Sequence, residues 1–318
     1  MFETNWYVIV SAFILDFLLG DPARLPHPVI YMGRAIDFFE NIFRKYVKHL
    51  LISGFLFACF LIFSTGVLAF FAVKVSSRFH PFFGDFIQVV LLFFCFSSTS
   101  LEKESLKVFH ALNKGSIDDA RSKLSMIVGR ETQTLDETRV TMATVETIAE
   151  NFVDGFLSPL FFAMIGGAPM ALAYKMINTL DSMVGYKNSQ YLFFGRASAR
   201  VDDAANFIPA RISVAIIALS AAFLSLKRGL FSFKTGIRQG HLHKSPNAGY
   251  PEAAFAGALK IRLGGPTLYH GRLIEKPYIG KAFQYPEKIK IRHACDLMIA
   301  GSLFAALIAS LILFFCNG

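Results

Sequence analysis

Both standard nucleotide cradles are missing from this sequence. Neither GxxxxGKS/T nor GxGxxG occurs, so any nucleotide that binds is held in another way. A GxSxG elbow and an HExxH pair are absent too, which removes the usual hydrolase and zincin readings. Cysteine is scarce. Cys59, Cys95, Cys295 and Cys316 lie far apart with no CxxC pair, so neither a zinc site nor a disulfide framework is indicated. Four buried thiols are the expectation. Charge is scarce as well: 17% of the 318 residues, against 54% hydrophobic and 35 Phe. That is the profile of a chain whose solvent is partly lipid. The net charge of +9 belongs to basic loops on one side of a bilayer. No basic-aromatic module supports nucleic acid as a partner. Glu3, the lack of a basic n-region and Asp16 within the first apolar stretch mark that stretch as a retained span, not a signal peptide.

What is present is a series of apolar runs. Trp6–Gly20, Leu50–Val73, Phe82–Leu101, Phe207–Leu226 and Cys295–Cys316 are each read as membrane-spanning. A sixth run, Phe152–Ala173, is interrupted by Pro159, Gly166–Gly167 and Pro169. Such breaks are tolerated at membrane depth where freed backbone groups face protein or a polar cavity. It reads as one broken crossing or a re-entrant pair of half-helices. The expected fold is therefore all-α: a polytopic helical membrane protein with five or six spans and two sizeable polar regions. The chain is taken as a single integral-membrane domain, 1–318. It contains a polar helical region at 102–151 and a motif-rich core with the broken span at 152–226. The Gly/Pro-rich region 227–294 is expected as turns and loops, with one helix at Glu252–Lys260. With six spans, loops 21–49, 102–151 and 227–294 hold 5, 7 and 13 Lys/Arg, while 1–5, 74–81 and 174–204 hold 0, 2 and 4. The first set is then cytoplasmic. Residues 174–204 fall on the other face or inside the membrane.

Polar residues gather in five places. In GDPARLPHPVIYMGR, Asp21, Arg24, His27 and Arg34 follow Asp16 at the end of the first run. They read either as a basic-rimmed turn or as a phosphate contact. In VETIAENFVDG, Glu146, Glu150 and Asp154 recur every fourth residue, with Asn151 beside them. No Lys or Arg lies between Arg139 and Lys175 to relieve their repulsion. A divalent cation such as Mg²⁺ would relieve it. Lys175, Asn178, Asp181 and Ser182 stand at helical spacing among Met, Ile, Leu and Val, where polar groups are costly unless paired. They mark a site or a helix–helix hydrogen-bond network. In ASARVDDAANFIPAR, Asp202 and Asn206 are i,i+4 and Arg200 and Asp203 are i,i+3. Arg211 follows Pro209 at membrane depth, where pairing with an aspartate is its simplest role. In HLHKSPNAGYPEAAFAGALKIRLGGP, the SPNAG and RLGGP turns suggest backbone brought close to a ligand.

These motifs, in this order, resemble the CobD/CbiB family of cobalamin biosynthesis. The runs that carry the resemblance are DFLLGDPARLPHPV, GRET, VETIAENFVDGFLSPLFFAMIGGAPMALAYKMINTLDSMVGYKN, FGRASARVDDAANFIPARIS and HKSPNAGYPEAAFAGALKIRLGG. They extend from about Asp16 to Gly280; GRET stands where GRDT is the expected form. The resemblance implies adenosylcobinamide-phosphate synthase activity in the inner (cytoplasmic) membrane. In that reaction the f propionate carboxylate of adenosylcobyric acid, a corrinoid, is joined in an amide to aminopropanol or its phosphate, with ATP and Mg²⁺. The lipid bilayer is a partner, and so is a complex with other cobalamin-assembly enzymes.

Under that resemblance Glu146, Glu150, Asp154, Asp181, Asp202 and Asp203 are the expected catalytic acids, with Glu150, Asp154, Asp202 and Asp203 as Mg²⁺ ligands. Arg130, Lys175, Arg200 and Arg211 would neutralise phosphate and carboxylate charge. Asn151, Asn178, Asn206, His243, Ser245 and Asn247 would contact substrate. Two other classes remain: a transporter of a corrinoid or another anionic solute, for which broken helices and intramembrane charge also suffice, and a non-catalytic scaffold for cobalamin enzymes.

Overall fold

The computed structural model describes residues 4–21, 27–269 and 272–317. Arg24 lies outside the described residues. The helices follow from apolar periodicity punctuated by caps and prolines. In chain order they begin with α1 (Trp6–Leu19), α2 (Pro28–Tyr46), α3 (Leu50–Phe79) and α4 (Pro81–Phe93). Next come α5 (Ser98–Asn113), α6 (Ile117–Ser125) and α7 (Glu137–Phe152), then a π-helical turn Val153–Leu157. The rest are α8 (Ser158–Val184), α9 (Arg196–Ala205), α10 (Phe207–Leu224), α11 (Leu226–Gln239), α12 (Gly249–Leu259) and α13 (Ile289–Asn317). Two short antiparallel pairs are the strands: β1 (Leu263–Gly264) with β4 (Tyr278–Ile279), and β2 (Thr267–Tyr269) with β3 (Arg272–Ile274).

Among the described residues, five helical stretches are long and apolar enough to cross a membrane: Leu50–Phe79, Pro81–Asn113, Glu137–Val184, Phe207–Leu224 and Ile289–Cys316. The protein is a multi-pass, helical membrane protein. The first apolar run falls short. At 1.5 Å per residue, the 14 residues of α1 reach about 21 Å, less than the hydrocarbon core. The broken span is real: Gly166 (φ −154°, ψ 28°) and Gly167 (φ 69°, ψ −162°) interrupt α8. Only glycine enters Gly167's left-handed region without strain. A methyl there would also lie 2.8 Å from Gln88 Oε1 and 3.0 Å from Thr4 Oγ1. Phe82–Leu101 is not one regular helix, because the helix stops at Phe93 and resumes at Ser98. Cys59 and Cys316 are exposed, contrary to expectation, while Cys95 and Cys295 are buried.

The chain divides into two compact units. The first is Met1–Ser97, Asp154–Asn206 and Ala306–Gly318; the second is Ser98–Val153 and Phe207–Ala305. In the first, α3 packs on α4, α8 and α9, and α2 packs on α3 and α8. Gly195 makes a close approach possible there. A methyl on it would run into the Val184 carbonyl, so only glycine lets the chain entering α9 press against the end of α8.

In the second unit α10, α11 and α12 pack on one another, and α12 packs on α7. The polar region 227–294 is more regular than expected, because α11 is a full helix. Its small face, Gly229, Ser232, Thr235 and Gly236, is buried. A methyl at Gly229 would sit 2.5 Å from Ala222 Cβ, and one at Gly236 2.6 Å from Val214 Cγ1. Later residues of α11 thus meet earlier residues of α10, and the two form a tight antiparallel hairpin turning at Ser225.

Candidate functional site

Asp136 caps α7 by accepting the Arg139 backbone N–H at 2.7 Å, and Glu137 sits in the first turn, where the helix dipole favours an acid. The helix then carries Glu146, buried at 8% exposure. Burial of a carboxylate demands full pairing, and it is met from two sides. Arg130 Nη2 donates to Glu146 Oε2 at 2.5 Å, and the Gly264 N–H donates to Oε1 at 2.7 Å. Gly264 and Gly265 both have positive φ (77° and 83°), which lets the RLGGP turn present its backbone to the carboxylate. That turn does approach an anion, but the anion is the protein's own Glu146.

The pair borders a cavity of about 230 Å³ in the second unit. Glu150, Asn151 and His243, all singled out in the sequence, line it; Glu252 and Lys276 line it too. Those two escaped the sequence reading. Glu252 had a signal, being the one acid in an otherwise apolar helix, whereas nothing in RLIEKPYIG singled out Lys276. Burial, together with the charges of Glu146 and Glu150, holds the Glu252 carboxyl well above the usual carboxylate range. Its surroundings favour the protonated form. Burial also lowers the His243 pKa, helped by the Lys276 charge, so that imidazole is neutral. His243 Nε2 lies 3.9 Å from Glu252 Oε1, and its Nδ1 accepts the Ser245 N–H at 3.0 Å. Ser245 Oγ accepts the N–H groups of Asn247 and Ala248, each at 3.2 Å, shaping the turn into α12. The side chain of Asn151 donates to the Thr147 carbonyl at 3.0 Å.

Arg211 does not pair with an aspartate. Its Nη1 donates to the Phe207 carbonyl at 2.7 Å and to Asn247 Oδ1 at 3.2 Å. Its guanidinium lies 3.4 Å from the Phe207 ring centroid and 4.4 Å from that of Tyr250. Neutral carbonyls and π faces satisfy the cation instead.

The first unit holds a second cluster. The α-helical register ends at Phe152, and the wider π turn sets the position of Asp154. Its Oδ2 accepts from Asn178 Nδ2 at 3.4 Å. Asn206 is buried, with its amide oxygen and nitrogen both hydrogen-bonded. Oδ1 accepts from Ser158 Oγ at 2.6 Å and Tyr174 OH at 2.9 Å, while Nδ2 donates to Asp202 Oδ2 at 3.1 Å. That network fixes the Asp202 side chain. Its other oxygen, Oδ1, is buried without a hydrogen-bond partner. Burial, reinforced by the Asp181 charge, pushes the Asp202 carboxyl up to about 7. Asp203 is raised by burial, with the Arg200 and Lys187 charges opposing. Arg200 is exposed and Lys175 half-buried.

Among the described residues no three His, Cys, Asp or Glu side chains converge as a metal-ligand set. Mg²⁺ held by one or two carboxylates and completed by substrate phosphate needs no such set. Glu150, on a cavity wall, has the donor chemistry for that use.

A family model described as CobD/CbiB protein matches residues 9–298. Cobalamin biosynthesis protein CobD of Clostridium perfringens is 45% identical over 275 residues, 86% of this chain and 87% of that protein. The protein of the same name from Geobacter metallireducens is 44% identical over 303 residues, 95% of each. Cobalamin biosynthesis protein CbiB of Salmonella typhimurium is 43% identical over 274 residues, 85% of this chain and 86% of that one. No solved structure matches the chain. With a family model spanning most of its length and relatives this similar, the chain belongs to the CobD/CbiB family.

Proposed function

We propose that this protein acts in cobalamin biosynthesis as an adenosylcobinamide-phosphate synthase. It is an acid–amine ligase of the inner membrane that joins the f propionate of adenosylcobyric acid to aminopropanol or its phosphate. The observation that carries the reading is the second-unit cavity. Cationic Arg130 and Lys276 face the acids Glu146, Glu150 and Glu252, with a neutral imidazole beside them.

A carboxylate does not condense with an amine unaided. ATP would convert one carboxylate oxygen into a phosphorylated leaving group. The amine nitrogen then forms the C–N bond as that oxygen departs with the phosphate, and the ammonium proton passes to a base. Arg130 and Lys276 would screen the charge of phosphate and carboxylate. The Glu252 carboxyl, when protonated, would donate a hydrogen bond where an ionised acid could only repel. In the first unit Asp202 has the chemistry of a base, because its Oδ1 is unengaged while Asn206 holds Oδ2 in place. Bound Mg²⁺ would neutralise phosphate charge, with Glu150 as its proposed oxygen donor.

The test is reconstitution. Protein purified in detergent is given ATP, Mg²⁺, adenosylcobyric acid and aminopropanol phosphate, and mass spectrometry follows the amide product. ATP-dependent product from the wild type, lost in Glu150→Gln, supports the reading. No product, with corrinoid crossing proteoliposome membranes instead, assigns a transporter.

A further inference from the structure

A second polar cavity lies in the second unit, distinct from the one above, with a volume of about 460 Å³. It opens at the turn of the α10–α11 hairpin. Lys227 and Arg228 reach it from the first turn of α11, and Lys260 from the end of α12. Lys290 and His293 reach it from the first turns of α13. Glu287 is the acid on its wall. Among the described residues no ion pair engages Lys227, Arg228 or Lys260. Lys290 Nζ donates to the Leu259 carbonyl at 3.2 Å, which fixes that ammonium beside the end of α12. The Lys260 ammonium lies 4.7 Å from the Phe231 ring centroid. Such an excess of cations in one recess is self-repelling until an anion enters.

The apolar surface beside it narrows the choice of anion. Phe223, Leu224 and Leu226 at the hairpin turn are 81%, 67% and 71% exposed. Leu226, Leu230, Phe233 and Ile237 continue as an exposed stripe at helical spacing along α11. A soluble phosphate has no use for that stripe; an acyl chain does. The cavity also stands where the apolar stretch Ile289–Cys316 begins, and basic residues at the end of a span lie at headgroup level.

We propose that this cavity binds the phosphate headgroup of an anionic phospholipid, with its acyl chains laid along the apolar stripe of α11. The site is independent of the proposed ligase activity. Native mass spectrometry of the protein in detergent tests it, using phosphatidylglycerol and phosphatidylcholine of identical acyl chains, and inorganic phosphate alone. The wild type should retain phosphatidylglycerol at roughly 100-fold lower lipid concentration than phosphatidylcholine. Each basic group contributes on the order of fivefold. The double variant Lys227→Gln/Arg228→Gln should therefore weaken the preference roughly 25-fold, and the single variant Lys260→Gln about fivefold. Lys281→Gln, an exposed lysine outside the cavity, should leave it unchanged. Three results overturn the proposal: equal retention of both lipids by the wild type, an unchanged preference in variants that keep the wild-type melting temperature, or displacement of phosphatidylglycerol by inorganic phosphate at equal concentration.

Discussion

Replacing Asp202 with asparagine should make the protein more stable and less active, and the stability gain should depend on pH. The buried carboxyl of Asp202 titrates at about 7 rather than the ordinary 3.8. Below pH 3.8 it is protonated in both folded and unfolded chains and costs nothing. Between 3.8 and 7 the unfolded chain ionises and the folded one does not, so stability falls as pH rises. Above 7 the folded protein carries a buried charge at a cost of roughly 4 kcal/mol. An asparagine oxygen can still accept from Asn206 Nδ2, and a neutral amide removes the repulsion with Asp181. Thermal melting in detergent with EDTA is the assay. At pH 8 Asp202→Asn should melt several degrees above the wild type; at pH 4 the curves should coincide. A gain of equal size at both pH values, or a loss at pH 8, would refute the account of Asp202 as a buried, strained carboxylate. In the reconstituted ligase assay the same variant should lose most of its turnover, and normal turnover would remove Asp202 from the proton transfer.

Three further predictions follow from the packing. Arg130→Ala leaves Glu146 buried without its cation and should destabilise by about 3–5 kcal/mol; a melting temperature within a degree of wild type would contradict that burial. Glu252→Gln mimics the protonated carboxyl that burial favours, so stability should change by less than about 1 kcal/mol, and a large drop would show that the acid is ionised. Gly236→Ala drives a methyl to 2.6 Å from Val214 Cγ1 and should cost about 1–3 kcal/mol, whereas Gly129→Ala, with nothing within 4 Å, should melt as wild type.

Much of this was legible in the sequence because lipid and burial write simple patterns. The apolar runs identify the helical membrane class, and the double glycine marks the break in α8. Isolated acids in apolar company, such as Glu146 and Asp202, identify the two clusters. Other features were hidden for physical reasons. A π turn has no strong local signature, so the change of helical register at Val153 could not be foreseen. Arg211 was expected to seek an acid, but aromatic faces and carbonyls satisfy a guanidinium just as locally. Glycines suggested loop across α11, when their purpose is to let two helix backbones touch. Lys276 arrives from a strand-rich turn with no periodicity to place it.

The α10–α11 hairpin also changes how sidedness is counted. Hydropathy treats α10 as a crossing, so each later segment changes face. A helix that returns at once along its own flank is an even operation, in and back, with no net transfer. Arg211 at the start of α10 touches Asn247 beyond the end of α11 at 3.2 Å, so a sequence separation of 36 brings the chain back to where it began. Whatever face of the bilayer Arg211 meets, His243, Ser245 and Asn247 meet it too. Cysteines at Ile208 and Lys244, both exposed, should then react with an impermeant thiol reagent from the same side.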